Sequence, residues 1–218
     1  MPRPRTPNPP TTDGATDGSL DDLLHGDGGE GLVFTGLDVQ EHELRARELT
    51  GCIFRNCKLQ ETRWPSSRLE DCRFERCDLT RMQPRGLRAH DLQFVDCKLM
   101  GVDWSELGQF PRLAFTDCVL DFASFVGLGL RKTQFVGCKI AEANFFDCDL
   151  RDASFPGCDL RGSILRSCKL AKTDFSGATG LYFDPAINDS RGAIVSIETA
   201  ALIAMKLGLR VAGFTAES

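Results

Sequence analysis

The sequence predicts an all-β solenoid of stacked square coils, closed at its C-terminal end by an α-helical cap. Three observations carry that prediction. From Phe115 through Leu120, Phe125, Leu130, Phe135, Ile140 and Phe145 to Phe175, every fifth residue is Phe, Leu or Ile. That period matches neither the 3.6 of a helix nor the 2 of an isolated strand, and a fixed internal period marks a repeat whose units cannot bury their apolar residues alone. Two residues before each of these sits a small or medium side chain, such as Cys118, Ala123, Leu128, Thr133, Cys138 and Ala143. Both positions point inward on a five-residue side, so four sides make a coil of twenty residues and residues twenty apart should stack. The ten cysteines obey that spacing: Cys52 with Cys72; Cys57, Cys77 with Cys97; Cys118, Cys138 with Cys158; Cys148 with Cys168. Packing explains such columns, since Cys is a small, commonly buried apolar residue; catalytic or metal-binding cysteines have no reason to fall into them.

In chain order, residues 1–30 are rich in Pro, Thr, Gly and Asp and read as a disordered tail, too poor in apolar residues to order itself. Leu20–Leu24 is the one stretch there able to dock on the first coil. The first repeat coils span residues 31–104, with central residues from Phe34, Val39 and Leu44 through Phe74 and Leu79 to Phe94, Leu99 and Trp104. His42 and Arg47 take normally small inward positions, so the first coil is expected to be irregular or open. Pro84 and Ala89 are poor central residues, with Met82 and Leu87 able to fill the space. Trp104 to Phe115 spans eleven residues rather than a multiple of five, so 105–114 is a register-breaking loop that must bulge or shift the coil. Loops on a rigid scaffold often carry function; a partner-contacting loop and a kink with Leu107 and Phe110 tucked inside both fit the sequence. A second set of coils covers 115–180. About seven coils at the strand spacing of about 4.8 Å give a rod of roughly 34 Å, stabilised by nearest-neighbour stacking and capped at both ends.

Residues 181–218 form the C-terminal cap. Ser196 is a suitable N-cap, Glu198 suits the first turn, Lys206 the last and Gly208 the stop. The predicted helix is apolar nearly all round, and a short helix lying on a rod needs only one buried face. Ile197, Ala201, Leu202, Met205, Leu209, Val211 and Phe214 therefore read as a two-fold homodimer interface, the alternative being a cap folded wholly onto its own coil.

Composition narrows function by exclusion. No apolar run is long enough to span a membrane, and no secretory signal is evident, so ten cysteines point to free thiols in a reducing cytoplasm. His25, His42 and His90 have no partner set for nucleophilic or metal chemistry. No Cys-x-x-Cys pair or phosphate loop is present. No catalytic, cofactor-binding or metal site is expected, and the chain reads as a shaped surface, not an enzyme.

The repeat over Leu32–Gly177 resembles the pentapeptide-repeat family, whose usual form is A(D/N)LXX. The resemblance implies a right-handed quadrilateral β-helix. Within the family the chain is most similar to the antibiotic-resistance branch of Qnr, MfpA and AlbG, AlbG above all. Lys98-Leu-Met-Gly-Val-Asp-Trp104, the register break after it and the stretch Ala201–Leu209 carry that likeness. It implies a dimeric rod that binds DNA gyrase, with topoisomerase IV as a second target, and protects it from a quinolone- or albicidin-like poison. No cofactor and no direct contact with nucleic acid is implied. By position the partner-contacting role falls to Ser105, Glu106, Leu107, Gln109, Phe110 and Arg112, with Phe110 and Arg112 foremost.

Members of that branch are described as DNA mimics, which calls for an acidic surface. Here the first thirty residues, six acidic against Arg3 and Arg5, hold −4 of the whole chain's −5, leaving about −1 for coils and cap. No side is uniformly acidic, and that of Arg131, Lys132, Asp149, Arg151, Asp152, Lys169 and Lys172 leans basic. Mimicry of duplex shape, or loop contacts, is expected over mimicry of charge. The alternative is an adaptor solenoid that mediates protein–protein contacts with no topoisomerase role.

Overall fold

The computed structural model of the chain describes residues 10, 15–26, 28–108 and 111–214. The chain winds as a parallel, four-sided β-solenoid of about nine turns that ends in an α-helix. Its strands are β1 (Thr16–Asp17), β2 (Gly28–Glu30), β3 (Leu32–Thr35), β4 (Glu48–Thr50), β5 (Ile53–Arg55), β6 (Arg68–Glu70), β7 (Arg73–Glu75), β8 (Arg88–His90), β9 (Leu92–Val95), β10 (Leu113–Thr116), β11 (Gln134–Val136), β12 (Asn144–Phe146), β13 (Ile164–Arg166), β14 (Asp174–Phe175) and β15 (Ile194–Val195). One side carries a seven-stranded sheet in the order β1-β3-β5-β7-β9-β10-β11, and another carries β2-β4-β6-β8. All pairs are parallel, and most join residues twenty apart, as Phe54 with Phe74 and Leu49 with Leu69. Isolated bridges such as Lys58 with Asp78 hold the remaining sides together.

Period five becomes a square because each side ends in a turn whose second residue sits in the left-handed region. Glycine takes that place at Gly36, Gly51 and Gly101, but so do eighteen non-glycine residues among those described, Asp117, Glu142 and Phe122 included. The corner needs the conformation more than it needs glycine. Left-handed residues cost about 1–2 kcal/mol each, a strain that stacking of the coils must offset.

The core is a ladder of rings. Phe34, Phe54, Phe74, Phe94, Phe115, Phe135, Phe155 and Phe175 stack in one column with centroids 4.7–5.3 Å apart. Trp64, Trp104, Phe125 and Phe145 project from the opposite side and meet that column edge-on. Leucines fill most of the other two columns, with Val39, Ile140 and Ala89 the described departures. Pro84 is buried as a central residue after all, with Met82 and Leu87 buried beside it.

The inward position two before the centre has a second requirement that packing alone does not express. Cys57 donates its Sγ–H to the Phe34 carbonyl at 3.4 Å, Cys77 to Phe54 at 3.4 Å, Cys97 to Phe74 at 3.4 Å and Cys168 to Phe145 at 3.2 Å. Ser67 and Thr173 donate in the same way to Leu44 at 2.6 Å and Leu150 at 2.8 Å. Asn188 continues the series from its Nδ2 to the Leu165 carbonyl at 3.1 Å. Where Cys, Ser, Thr or Asn takes this position, its donor reaches the central carbonyl one coil back, while Ala123, Leu128 and Ala143 fill the same place by packing alone. All ten cysteines are free and buried. Burial pushes the Cys97 thiol well up, so it remains protonated.

Trp64 and Trp104 show what that position does for its neighbours. Trp64 Nε1 donates to Thr62 Oγ1 at 3.1 Å, and Thr62 Oγ1 donates on to the Leu59 carbonyl at 2.8 Å. At Trp104 the equivalent residue is Val102, and the buried Nε1 has no partner among the described residues. Val102→Thr is expected to raise stability by about 1 kcal/mol, the usual net worth of a satisfied buried hydrogen bond. Thermal unfolding checks it: an unchanged or lower midpoint would mean the hydroxyl does not reach the indole.

Both ends differ from the expectation of a simple rod. The described residues of the 1–30 tail are not disordered. Thr16–Asp17 pairs with β3, Gly28–Glu30 pairs with β4, and Leu20–His25 forms helix α1. Ser19 and Asp22 form a reciprocal capping box on α1, and Leu23 is fully buried. The mean composition of the tail hid a short amphipathic cap. That cap leaves the first coil regular: His42 turns outward, with Nδ1 on the Gln40 carbonyl, and Arg47 lies half-buried. At the other end, helix α2 (Ile197–Lys206) starts at N-cap Ser196, whose side chain accepts from Thr199 N at 3.1 Å. No helix of the described residues is long and apolar enough to cross a membrane.

Candidate functional site

Two places on the rod break its regularity, and both were singled out by the sequence. The first is the stretch after Trp104. β9 pairs with β10 at an offset of twenty-one, Phe94 beside Phe115, and the bridges Lys98–Val119 and Asp103–Ser124 keep that offset. One extra residue is thus absorbed on a single side, and the columns realign beyond it. As a result the cysteine columns on either side join into one series, Cys57 to Cys158, with Cys97 next to Cys118.

The described part of 105–114 is tied to the rod. Trp104–Leu107 forms a 3₁₀ turn capped by Asp103, whose Oδ1 accepts from Ser105 N at 3.1 Å and Ser105 Oγ at 2.6 Å. Glu106 lies 3.9 Å from Arg85. Leu107 packs against the core next to Ala89, while Pro111 and Leu113 are buried. Arg112 Nε sits 2.9 Å from Asp91 Oδ1, an ionic contact whose angle falls short of a hydrogen bond, and Asp91 Oδ2 is 2.9 Å from His90 Nδ1. Gln109 and Phe110 lie outside the described residues. Of the expected contact residues, Ser105, Glu106 and Arg112 reach the surface; Leu107 does not face outward. Ala89, His90 and Asp91 belong to the same corner. Their signal in the sequence was Ala89, the one described residue that is small where its column otherwise has leucine.

The second place is the C-terminal helix. Thr199 and Ala201 are buried against the last coil, and Val195 and Ile203 pack there too. Ala201 is therefore not an interface residue: it points into its own rod. Ile197 is 88% exposed, and Met205, Leu207 and Leu209 are exposed as well. Leu202, Val211 and Phe214 are half-buried. The residues assigned to a dimer thus divide into one that anchors the helix and six that retain free surface.

Several charges on the rod pair between coils. Asp38 meets Lys58 at 3.0 Å, Asp78 meets Lys98 at 3.5 Å and Arg55 meets Glu75 at 2.9 Å, each one coil apart. On the basic side, Arg131 holds Asp152 at 3.1 Å and Arg151 holds Asp149 at 2.5 Å. The Arg151 guanidinium keeps the Asp149 carboxyl below the usual carboxylate range. In these pairs the carboxylate is engaged by a cation of the rod itself.

A family model for the pentapeptide repeat region matches residues 47–125 and 108–182, well over half of the chain. The chain belongs to the pentapeptide-repeat family. Among solved structures, it is similar to HetL, a pentapeptide-repeat protein involved in heterocyst differentiation regulation in the cyanobacterium Nostoc. The two share 15% identity, with 78% of this chain and 87% of HetL covered at a TM-score of 0.53. A trypsin-treated variant of QnrB1, a plasmid-mediated fluoroquinolone resistance protein, is 22% identical over 84% of this chain and 89% of its own, with a TM-score of 0.45. A search of curated protein sequences returns no match. Likeness at these identities speaks to the fold alone, and the pentapeptide-repeat β-helix accounts for the twenty-residue stacking seen here.

Proposed function

We propose that this pentapeptide-repeat protein is a dimeric rod that binds DNA gyrase, with topoisomerase IV as a second target, and protects it from a topoisomerase-poisoning antibiotic of quinolone or albicidin type. The structural observation that supports this most is the apolar surface left open at one end of the rod, with Ile197, Met205, Leu207 and Leu209 exposed. A cap needs only one covered face, and a second copy related by a two-fold axis would cover the other. The resemblance of Lys98–Trp104 and Ala201–Leu209 to the resistance branch supplies the choice of partner. Because the coils and cap carry a net charge of only about −1, protection would work through the shape of the rod or through contacts near Ser105, Glu106 and Arg112, not through a field resembling DNA.

The near-neutral coils also favour a second reading, an adaptor solenoid with no topoisomerase role. Gyrase supercoiling with a titration of the protein, alone and with a quinolone or albicidin, separates the two. Restored supercoiling at protein doses that leave the uninhibited enzyme unaffected is the expected result. No rescue, no inhibition and no binding would overturn it and leave the adaptor.

A further inference from the structure

The side of the rod that carries β2, β4, β6 and β8 has an irregularity that neither the dimer nor the gyrase reading uses. Its sheet ends at β8 among the described residues, where the twenty-one-residue coil begins. An open pocket of about 370 Å³ lies there, lined by Arg68, Glu70, Arg88, Ala89, His90 and Leu107. That volume lies in the range of small-molecule sites, roughly 300–1,000 Å³.

Its charge is unbalanced in a specific way. Arg68 and Arg88 are register partners on β6 and β8, one strand apart. Like charges directly opposite are destabilising, and elsewhere on the rod several cations lie one coil from a carboxylate or hold one of their own, as Lys58, Lys98, Arg131 and Arg151 do. Here Glu70 is engaged by Arg68 at 2.5 Å, and Asp91 is shared by His90 and Arg112 at 2.9 Å each. Arg88 is left without an ion-pair partner among the described residues. The pocket thus holds one uncommitted guanidinium beside a second whose remaining N–H groups are open.

Its apolar part is equally specific. Ala89 sits in the column of Leu49, Leu69, Leu130, Leu150 and Leu170, all of them buried. The missing side-chain volume leaves a floor, and Leu107 from the 3₁₀ turn walls it.

We propose that this pocket binds a carboxylate that carries an apolar body, with Arg68 and Arg88 holding the carboxylate and Ala89 and Leu107 receiving the body. A guanidinium fork matches the planar carboxylate in two parallel hydrogen bonds. One uncommitted positive charge balances a monoanion and falls short of a phosphate dianion. The carboxylate could come from a free organic acid or from the C-terminus of a peptide chain that ends in a large apolar residue.

The test is a calorimetric titration of the full chain with 2-naphthoate, its neutral methyl ester, inorganic phosphate, and the dipeptide acetyl-Gly-Phe as free acid and as amide. Saturable binding of naphthoate is expected, with the ester and phosphate at least about tenfold weaker, the scale of a charged hydrogen bond. Arg88→Gln should weaken naphthoate about tenfold or more. Ala89→Leu should block it as well, while thermal unfolding shows the fold intact, since leucine is the residue this column uses. A dipeptide acid tighter than naphthoate and lost on amidation identifies a chain terminus as the source; the reverse order identifies a free acid; both uphold the site. Unchanged affinity in Arg88→Gln, phosphate binding as tightly as naphthoate, or no saturable binding would overturn it.

Discussion

Phe145→Asp is expected to unfold the solenoid, while Asn144→Asp next to it should leave stability almost unchanged. Phe145 is 1% exposed, stacked on Phe125 at 4.7 Å and flanked edge-on by Phe135 and Phe155 at 6.3 Å each. An aspartate there would be a buried charge with no cation within the ring stack. Such unpaired burial costs on the order of 3–5 kcal/mol, and loss of the ring contacts adds to it. A domain of ordinary stability has about 5–15 kcal/mol in all, so one substitution removes a large part of it. The position is also interior, with coils on both sides. In a rod whose coils touch only their neighbours, a broken interior rung uncouples the coils on either side of it, whereas a broken terminal rung merely shortens the rod. Asn144 points outward on the same strand and is exposed. Denaturant titration followed by circular dichroism reads both variants. Comparable losses in the two would contradict the inward and outward assignment on which the whole fold rests.

Ile197→Asp is expected to convert a dimer into a folded monomer. In the isolated chain Ile197 is 88% exposed, so the substitution should shift the unfolding midpoint little. If the residue is covered by a second copy, the same change places a charge in an apolar contact. That costs about 2–4 kcal/mol at a desolvated interface position, or roughly thirty- to a thousandfold in the dimer dissociation constant. Two copies of the site meet or adjoin one another in a two-fold contact, so a single substitution acts twice. Sedimentation equilibrium of wild type and variant measures it. A wild type that sediments as a monomer at micromolar concentration would remove the dimer from the proposed function, and α2 would then be a cap alone.

Legibility of the fold differed sharply between positions. The inward residues could be read because a five-residue period cannot be produced by anything but a coil of equal sides, and the twenty-residue columns followed from it. The cysteine positions were read correctly as buried and small, but their chemistry was not. That Cys57, Ser67 and Thr173 all donate to a carbonyl twenty-three residues back is a contact between coils, invisible until the coils are stacked. The N-terminal cap was misjudged because its order depends on an end of the rod being there to cover: Leu23 has nowhere to go until Phe34 and Val39 form the first coil. The dimer residues were half legible. Helical periodicity marked an apolar helix, yet which side meets the rod is fixed by where Ser196 starts it. That placement buries Thr199 and Ala201 and frees Ile197.

The sequence by itself determined the side length, the coil, the inside and outside of each side and the place where the register breaks, because all of these are set by local periodicity in a chain that repeats. Tertiary structure alone decided how the extra residue is absorbed, how the ends are sealed and which charges are left over. Those depend on what lies one coil away. Arg88 reads as one more outward arginine in the sequence, and only stacking on Arg68 beside the shortened floor at Ala89 leaves its charge unpaired.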